Sequence, residues 1–213
     1  MEVSASILSN EYKPKELVSK FNQTDVDYIH LDIMDGKFVE NKTWSISEIK
    51  KILTNNTKKL DVHLMVKNPY KFIMEYALLD VEYITFHYEA TKNNKKINEL
   101  IEKTKELGIK VGLSINPNTN VNEIEEFLPK LDLILVMSVY PGESGQTFIK
   151  SVLYKIDILD KLRKEKNYNF KIEVDGGINN ENVLNLKEKN VDIVVSASFI
   201  QDGNIKEKIA SLR

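Results

Sequence analysis

The 213-residue chain contains no cysteine, which excludes disulfides, thiolate nucleophiles and cysteine metal sites. It has no apolar run long enough to span a bilayer and no basic segment leading into a short apolar one. Neither a membrane anchor nor a secretory leader is therefore expected. An excess of charge of one sign is also missing. Thirty Lys and Arg oppose 32 Asp and Glu, a formal net charge of −2, so no global field would gather nucleic acid or an anionic membrane. Neither G-x-G-x-x-G nor G-x-x-x-x-G-K-S/T occurs, which removes the common nucleotide-binding fingerprints. No Pro/Gly/Ser-rich linker divides the chain. The expectation is a cytoplasmic protein whose residues 1–213 form one domain.

What is present is alternation. With 42% of residues hydrophobic, the chain can bury one sizeable core. Short β-branched runs predict strands at Val3–Leu8, Tyr28–Ile33, Leu60–Met65, Tyr83–Phe86, Lys110–Ile115, Leu133–Val139, Lys171–Val174 and Asp192–Val195. Between them, apolar residues at three- and four-residue spacing predict helices. These run over Lys13–Phe21, Ser45–Leu53, Pro69–Leu79, Ile97–Leu107, Val121–Leu128, Phe148–Lys164, Asn182–Lys189 and Ile205–Leu212. Asn68-Pro69 offers a cap followed by proline at the first helical position, and Asn179 or Asn180 could cap the seventh helix. Strand-then-helix order implies a parallel sheet. Eight such units in one chain predict an α/β fold, a closed (β/α)8 TIM barrel, whose chemistry sits where strands run into the following loops.

The strand ends carry polar residues that a buried strand can hold only if something compensates them. In HLDIMDG, alternation puts His30, Asp32 and Met34 on one face. His63 and Met65 share a face in DVHLM, as do Glu173 and Asp175 in IEVDGGI. His30, Asp32, His63 and Asp175 thus point toward the barrel mouth as candidate ligands for one divalent Zn²⁺, Fe²⁺, Mn²⁺ or Co²⁺. Asp35, on the opposite face and followed by Gly36, reads as turn chemistry. Two aspartates around one metal suggest proton abstraction beside a carbonyl. The ion stabilises the enediolate, one aspartate takes the proton, and the other returns one to the opposite face. Met34, Met65 and Met137 would cap such a site with polarisable, dry surface.

Three segments suit an anion: Tyr140–Gln146 with Gly142 and Gly145, Asp175-Gly176-Gly177, and Val195-Ser196-Ala197-Ser198. Glycines let backbone N–H groups approach a ligand, and barrels frequently hold phosphate after strands seven and eight, beside a short extra helix. No Lys or Arg lies in these loops, so binding would rest on backbone dipoles.

With these residues in view, the chain resembles the ribulose-phosphate 3-epimerase family over nearly its whole length. SASILSN is similar to the family's P-S-I-L-S opening, HLDIMDGKFVEN to H-x-D-x-M-D-G-x-F-V-P-N, and LDVHLMV to D-V-H-L-M. HYEA, INPNT, VMSVYPGESGQTF and IEVDGGIN also fall on family motifs. The resemblance implies an isomerase of carbohydrate metabolism, in the pentose phosphate pathway. It would interconvert D-ribulose 5-phosphate and D-xylulose 5-phosphate with one divalent metal. By motif, His30, Asp32, His63 and Asp175 would bind the metal, with Asp32 and Asp175 as the acid–base pair across C3. Ser6 and His63, with Met34, Met65 and Met137, would contact substrate. Gly142, Glu143, Ser144, Gly145, Gly176, Gly177, Ala197 and Ser198 would hold phosphate. The resemblance also implies a homo-oligomer, since the family commonly forms dimers or hexamers.

Departures cluster in the phosphate loops. PGESGQ replaces P-G-F-G-G-Q, so Glu143 stands for an aromatic and Ser144 for a glycine. Ala197 replaces a glycine, which requires a negative φ. Glu40 and Ala5 each replace a proline. A 3-epimerase for a six-carbon ketose phosphate such as allulose 6-phosphate is the nearest alternative, and a non-catalytic sugar-phosphate-binding barrel is another. The D-x-K-x-x-D signature of phosphosugar decarboxylases is absent around Lys37.

Overall fold

The computed structural model describes residues 1–9 and 11–213; Asn10, the last residue of SASILSN, lies outside the described residues. Eight parallel strands close on themselves in sequence order. They are β1 (Glu2–Ser6), β2 (Tyr28–Met34), β3 (Lys59–Met65), β4 (Val81–His87), β5 (Lys110–Ile115), β6 (Leu133–Met137), β7 (Lys171–Asp175) and β8 (Ile193–Ser196). The expected barrel is the observed one.

Two-sided burial explains the composition of the strands. β2 is buried at every position, because a parallel barrel strand meets helices outside and packed side chains inside. Ile29, Leu31 and Ile33 join the main core under the helices. Tyr28 belongs instead to a separate cluster with Tyr83, Leu133 and Ile193, one residue from each even-numbered strand. This is a packed layer of the kind that fills barrel interiors. The Tyr28 and Tyr83 rings meet edge to face at 5.8 Å, and the Tyr28 hydroxyl donates to Glu2 at 3.1 Å. The layer closes the base of the barrel.

The helices are α1 (Pro14–Phe21), α2 (Ile46–Ile52), α3 (Pro69–Tyr76), α4 (Asn94–Glu106), α5 (Leu153–Lys166), α6 (Val183–Glu188), α7 (Ser198–Gln201) and α8 (Ile205–Leu212). Ser45 and Glu48 form a reciprocal capping box on α2. Pro69 opens α3 as expected, while Asn68 makes no side-chain cap bond. Asn179 accepts from the N–H groups of Glu181 and Asn182 just before α6.

One expected helix is absent. Val121–Leu128 contributes only a 3-10 turn at Val121–Glu123, and a second follows at Leu128–Lys130. Pro129 cannot donate an intrahelical hydrogen bond, and the residues before Val121 are held in other contacts, described below. Val121, Ile124, Phe127 and Leu128 are buried all the same. The extra element is α7, a single turn after β8. No helix is long and apolar enough to cross a membrane, among the described residues.

Candidate active site

Register brings the strand-end residues together. Asp32 pairs with His63 across β2 and β3, His30 pairs with Ser6, and Asp175 pairs with Met137. Paired residues in adjacent parallel strands share a face, so all of these turn inward. The candidate ligand atoms of His30, Asp32, His63 and Asp175 lie within 4.8 Å of one another. Asp32 Oδ1 is 3.4 Å from His30 Nε2 and 3.4 Å from His63 Nδ1. Asp175 Oδ2 is 3.5 Å from His63 Nδ1 and 3.9 Å from His30 Nε2.

His30 Nε2 and His63 Nδ1 are both buried without a hydrogen-bond partner. Leaving two such atoms bare is costly, and both face the carboxylates. Two imidazole nitrogens and two carboxylate oxygens make a four-donor set that fits a divalent transition metal. The opposite ring nitrogens are held. His30 Nδ1 lies 2.6 Å from Asp61 Oδ2, which also accepts from Ser4 Oγ at 2.7 Å. His63 Nε2 lies 2.8 Å from His87 Nε2, and His87 Nδ1 lies 3.2 Å from Glu89 Oε2. Ser6 donates to Asp32 Oδ2 at 2.7 Å.

Charge follows these contacts. Burial disfavours an imidazolium at His30, but Asp61 and Asp32 outweigh it and hold its pKa well above the ordinary value. His63 is raised in the same way by Asp175 and Asp32 against its burial. Burial opposes ionisation of Asp32, yet His30 and His63 keep its carboxyl far below the usual range. Burial and the neighbouring Asp61 push the Glu173 carboxyl well above its ordinary value. His87, buried beside Glu89 and His63, falls to about 4. Glu89 stays below its ordinary value despite burial, because His87, the Asn116 N–H and Thr119 bond to it.

Above the cluster lies a narrow cavity of about 50 Å³ that opens to solvent. Ser6, Asp32, Met34, Met65, Met137 and Asp175 line one side. Gly142, Glu143, Ser144, Gly145, Gly176, Gly177, Ala197 and Ser198 line the other, with Tyr140 and Gln146. No lysine or arginine lines it, among the described residues. His30 and His63 are fully buried and do not reach the cavity wall. For His63, expected among the substrate contacts, the structure therefore gives a place behind the carboxylates.

The loop departures find local answers. Ala197 has φ −116°, in the range open to any residue. Ser144 is not among the described residues with positive φ. Glu143 is exposed, and its carbonyl accepts from Gln146 Nε2 at 3.0 Å. Asn41 Nδ2 donates to the Gly142 carbonyl at 2.8 Å, tying the loop after β6 to the loop after β2. Asp35 sits in a turn: Oδ1 accepts from the N–H groups of Lys37 and Phe38, and Oδ2 accepts from that of Lys67.

Four residues behind the cluster carried no role from the sequence: Asp61, His87, Glu89 and Glu173, although Glu173 shares the face of Asp175 and HYEA contains His87 and Glu89. Alternation could have found Asp61, two positions before His63. His87 ends β4 as His63 nears the end of β3, and it is one of only three histidines.

The family model described as "Ribulose-phosphate 3 epimerase family" matches residues 2–201. A ribulose-phosphate 3-epimerase of Helicobacter pylori is 38% identical over 202 residues, covering 94% of this chain and 90% of its own. One from Synechocystis sp. is 36% identical over 213 residues, covering 99% and 92%. Among solved structures, 3-hexulose-6-phosphate synthase from Salmonella typhimurium superposes with a TM-score of 0.69 at 17% identity, covering 100% of this chain and 96% of that one. That last likeness is one of fold.

Proposed function

Since the chain belongs to the ribulose-phosphate 3-epimerase family, we propose that it interconverts D-ribulose 5-phosphate and D-xylulose 5-phosphate by moving a proton at C3. One observation carries the reading. Asp32 and Asp175 meet two unpartnered imidazole nitrogens under a cavity also lined by Gly142, Gly145, Gly176 and Gly177.

His30, Asp32, His63 and Asp175 would hold one divalent ion, whose charge, when bound, lowers the cost of ionising a C–H beside the ketose carbonyl. The donor set suits Zn²⁺, Fe²⁺, Mn²⁺ or Co²⁺ alike. Asp32 takes the C3 proton on one face, oriented by the Ser6 hydroxyl on its Oδ2. Asp175 gives a proton to the other face, and the reverse reaction exchanges their roles. The bond broken on one face and the bond formed on the other are both C3–H, so the stereocentre inverts. Met34, Met65 and Met137 leave the reacting carbon a wall with few hydrogen-bonding groups. Backbone N–H groups of Gly142–Gly145, Gly176–Gly177 and Ala197–Ser198 receive the phosphate.

The test is turnover of D-ribulose 5-phosphate in deuterated water, with allulose 6-phosphate as the comparison substrate. Deuterium enters C3 of both epimers, and the five-carbon sugar reacts faster. Epimerised product without deuterium at C3, or preference for the six-carbon sugar, would overturn the assignment.

A further inference from the structure

Behind His63 a chain of polar groups runs away from the cavity to the outer helices. His63 Nε2 faces His87 Nε2 at 2.8 Å, and His87 Nδ1 faces Glu89 Oε2 at 3.2 Å. Glu89 Oε1 accepts from the Asn116 N–H at 2.8 Å and from the Thr119 hydroxyl. The fully buried Lys155 then donates to the carbonyls of Asn116 and Pro117, each at 2.8 Å. The loop after β5 is thus pinned from both sides, and Glu89 is fixed with both oxygens occupied by donors.

We infer that Glu89 and His87 are positioning residues that set the tautomer of His63, so that Nδ1 presents a lone pair to the metal. The inference rests on the reading of His30, Asp32, His63 and Asp175 as a metal centre. Its logic is donor counting. A carboxylate only accepts, so the His87 proton sits on Nδ1 and His87 Nε2 is an acceptor. Only one proton fits between two ring nitrogens 2.8 Å apart, so His63 supplies it from Nε2. Neutral His63 of this tautomer carries no proton on Nδ1, an atom that is buried without a hydrogen-bond partner.

The device counters a real competitor. Asp32 and Asp175 lie 3.4 and 3.5 Å from His63 Nδ1, and without the relay they favour a proton on that atom. A proton there blocks the ligand. His30 meets the same threat with a carboxylate directly on its ring, Asp61. His63 has its carboxylate one imidazole further away.

Glu89→Gln tests this with nearly the same shape. The Asn116 N–H and Thr119 hydroxyl demand the amide oxygen, which leaves the NH₂ facing His87 Nδ1. Each proton in the relay then reverses, and His63 Nδ1 becomes protonated. Zn²⁺ affinity, measured by competition with a chromophoric chelator, falls about 10- to 100-fold. Excess Zn²⁺ restores kcat with KM for the sugar unchanged. His87→Gln, which keeps an acceptor for the His63 N–H, retains more affinity than His87→Phe. Adding Glu89→Gln to His87→Phe costs nothing further. His63→Ala is the control for the metal reading. If it leaves Zn²⁺ affinity unchanged, the metal centre itself is misassigned. If it abolishes binding while folded Glu89→Gln matches the parent, the relay alone is wrong. Should Glu89→Gln not fold, equal affinity of His87→Gln and His87→Phe overturns the relay.

Discussion

The two halves of the cavity are made of different material. The half over β2, β3 and β7 is built from side chains whose places are set by strand register and whose polar atoms are paired or aimed at one point. The half under the loops after β6, β7 and β8 is rich in glycine, with Gly142, Gly145, Gly176 and Gly177 all at positive φ. Side-chain chemistry is sensitive to substitution, because removing one polar group from a buried cluster leaves its neighbours unsatisfied. Backbone chemistry tolerates any residue that keeps the path of the chain. Glu143, Ser144 and Ala197, which depart from the family motifs, all lie in the second half, and His30, Asp32, His63 and Asp175, which match them, lie in the first.

Breaking the first half has the largest effect. Asp32→Asn lowers kcat roughly 1,000-fold with the fold intact, measured by steady-state kinetics beside thermal unfolding; near-parent turnover would remove Asp32 from proton transfer. In the second half the sharpest break is conformational. Gly177 has φ +65°, and an added Cβ would lie 2.6 Å from the Phe148 nitrogen and 2.7 Å from the Gln146 oxygen. Gly177→Ala loses about 1–3 kcal/mol of stability and raises KM more than it lowers kcat, read by denaturant unfolding and kinetics.

Asp35 sharpens the contrast from within the same heptapeptide as Asp32. Asp35→Ala leaves kcat near the parent value but costs about 1–2 kcal/mol at pH 7 by releasing three backbone N–H groups. Burial raises the Asp35 pKa, but those N–H groups bring it below the ordinary 3.8. A depressed folded pKa stabilises above the unfolded value and is lost as pH falls through the folded one. The stability gap between parent and variant therefore closes in acid below the ordinary carboxylate range. The smallest effect is at Glu143, an exposed charge among the loops proposed to hold phosphate. Glu143→Gln lowers KM by no more than about fivefold, and the gain shrinks with added salt.

Much of this was legible in the chain. Strand–helix alternation gave the barrel, and period-two alternation at strand ends gave the inward set His30, Asp32, His63 and Asp175. It also separated Asp32 from Asp35, whose turn contacts are local. The missing pieces have physical reasons. Helical spacing at Val121, Ile124, Phe127 and Leu128 is met equally well by successive 3-10 turns, since both bury every third or fourth residue. Glu89 lies beyond the end of β4, in a 3-10 turn, where alternation no longer says which way a side chain points. Its partners Asn116, Thr119 and Lys155 come from distant positions, and only closure of the barrel brings them near.

The stopper of Tyr28, Tyr83, Leu133 and Ile193 has a kinetic corollary. With the far end corked, whatever the cavity takes up enters and leaves through one doorway. On the proposed reading, a cation held by His30, Asp32, His63 and Asp175 would load before the ketose, and a seated ketose would slow its escape.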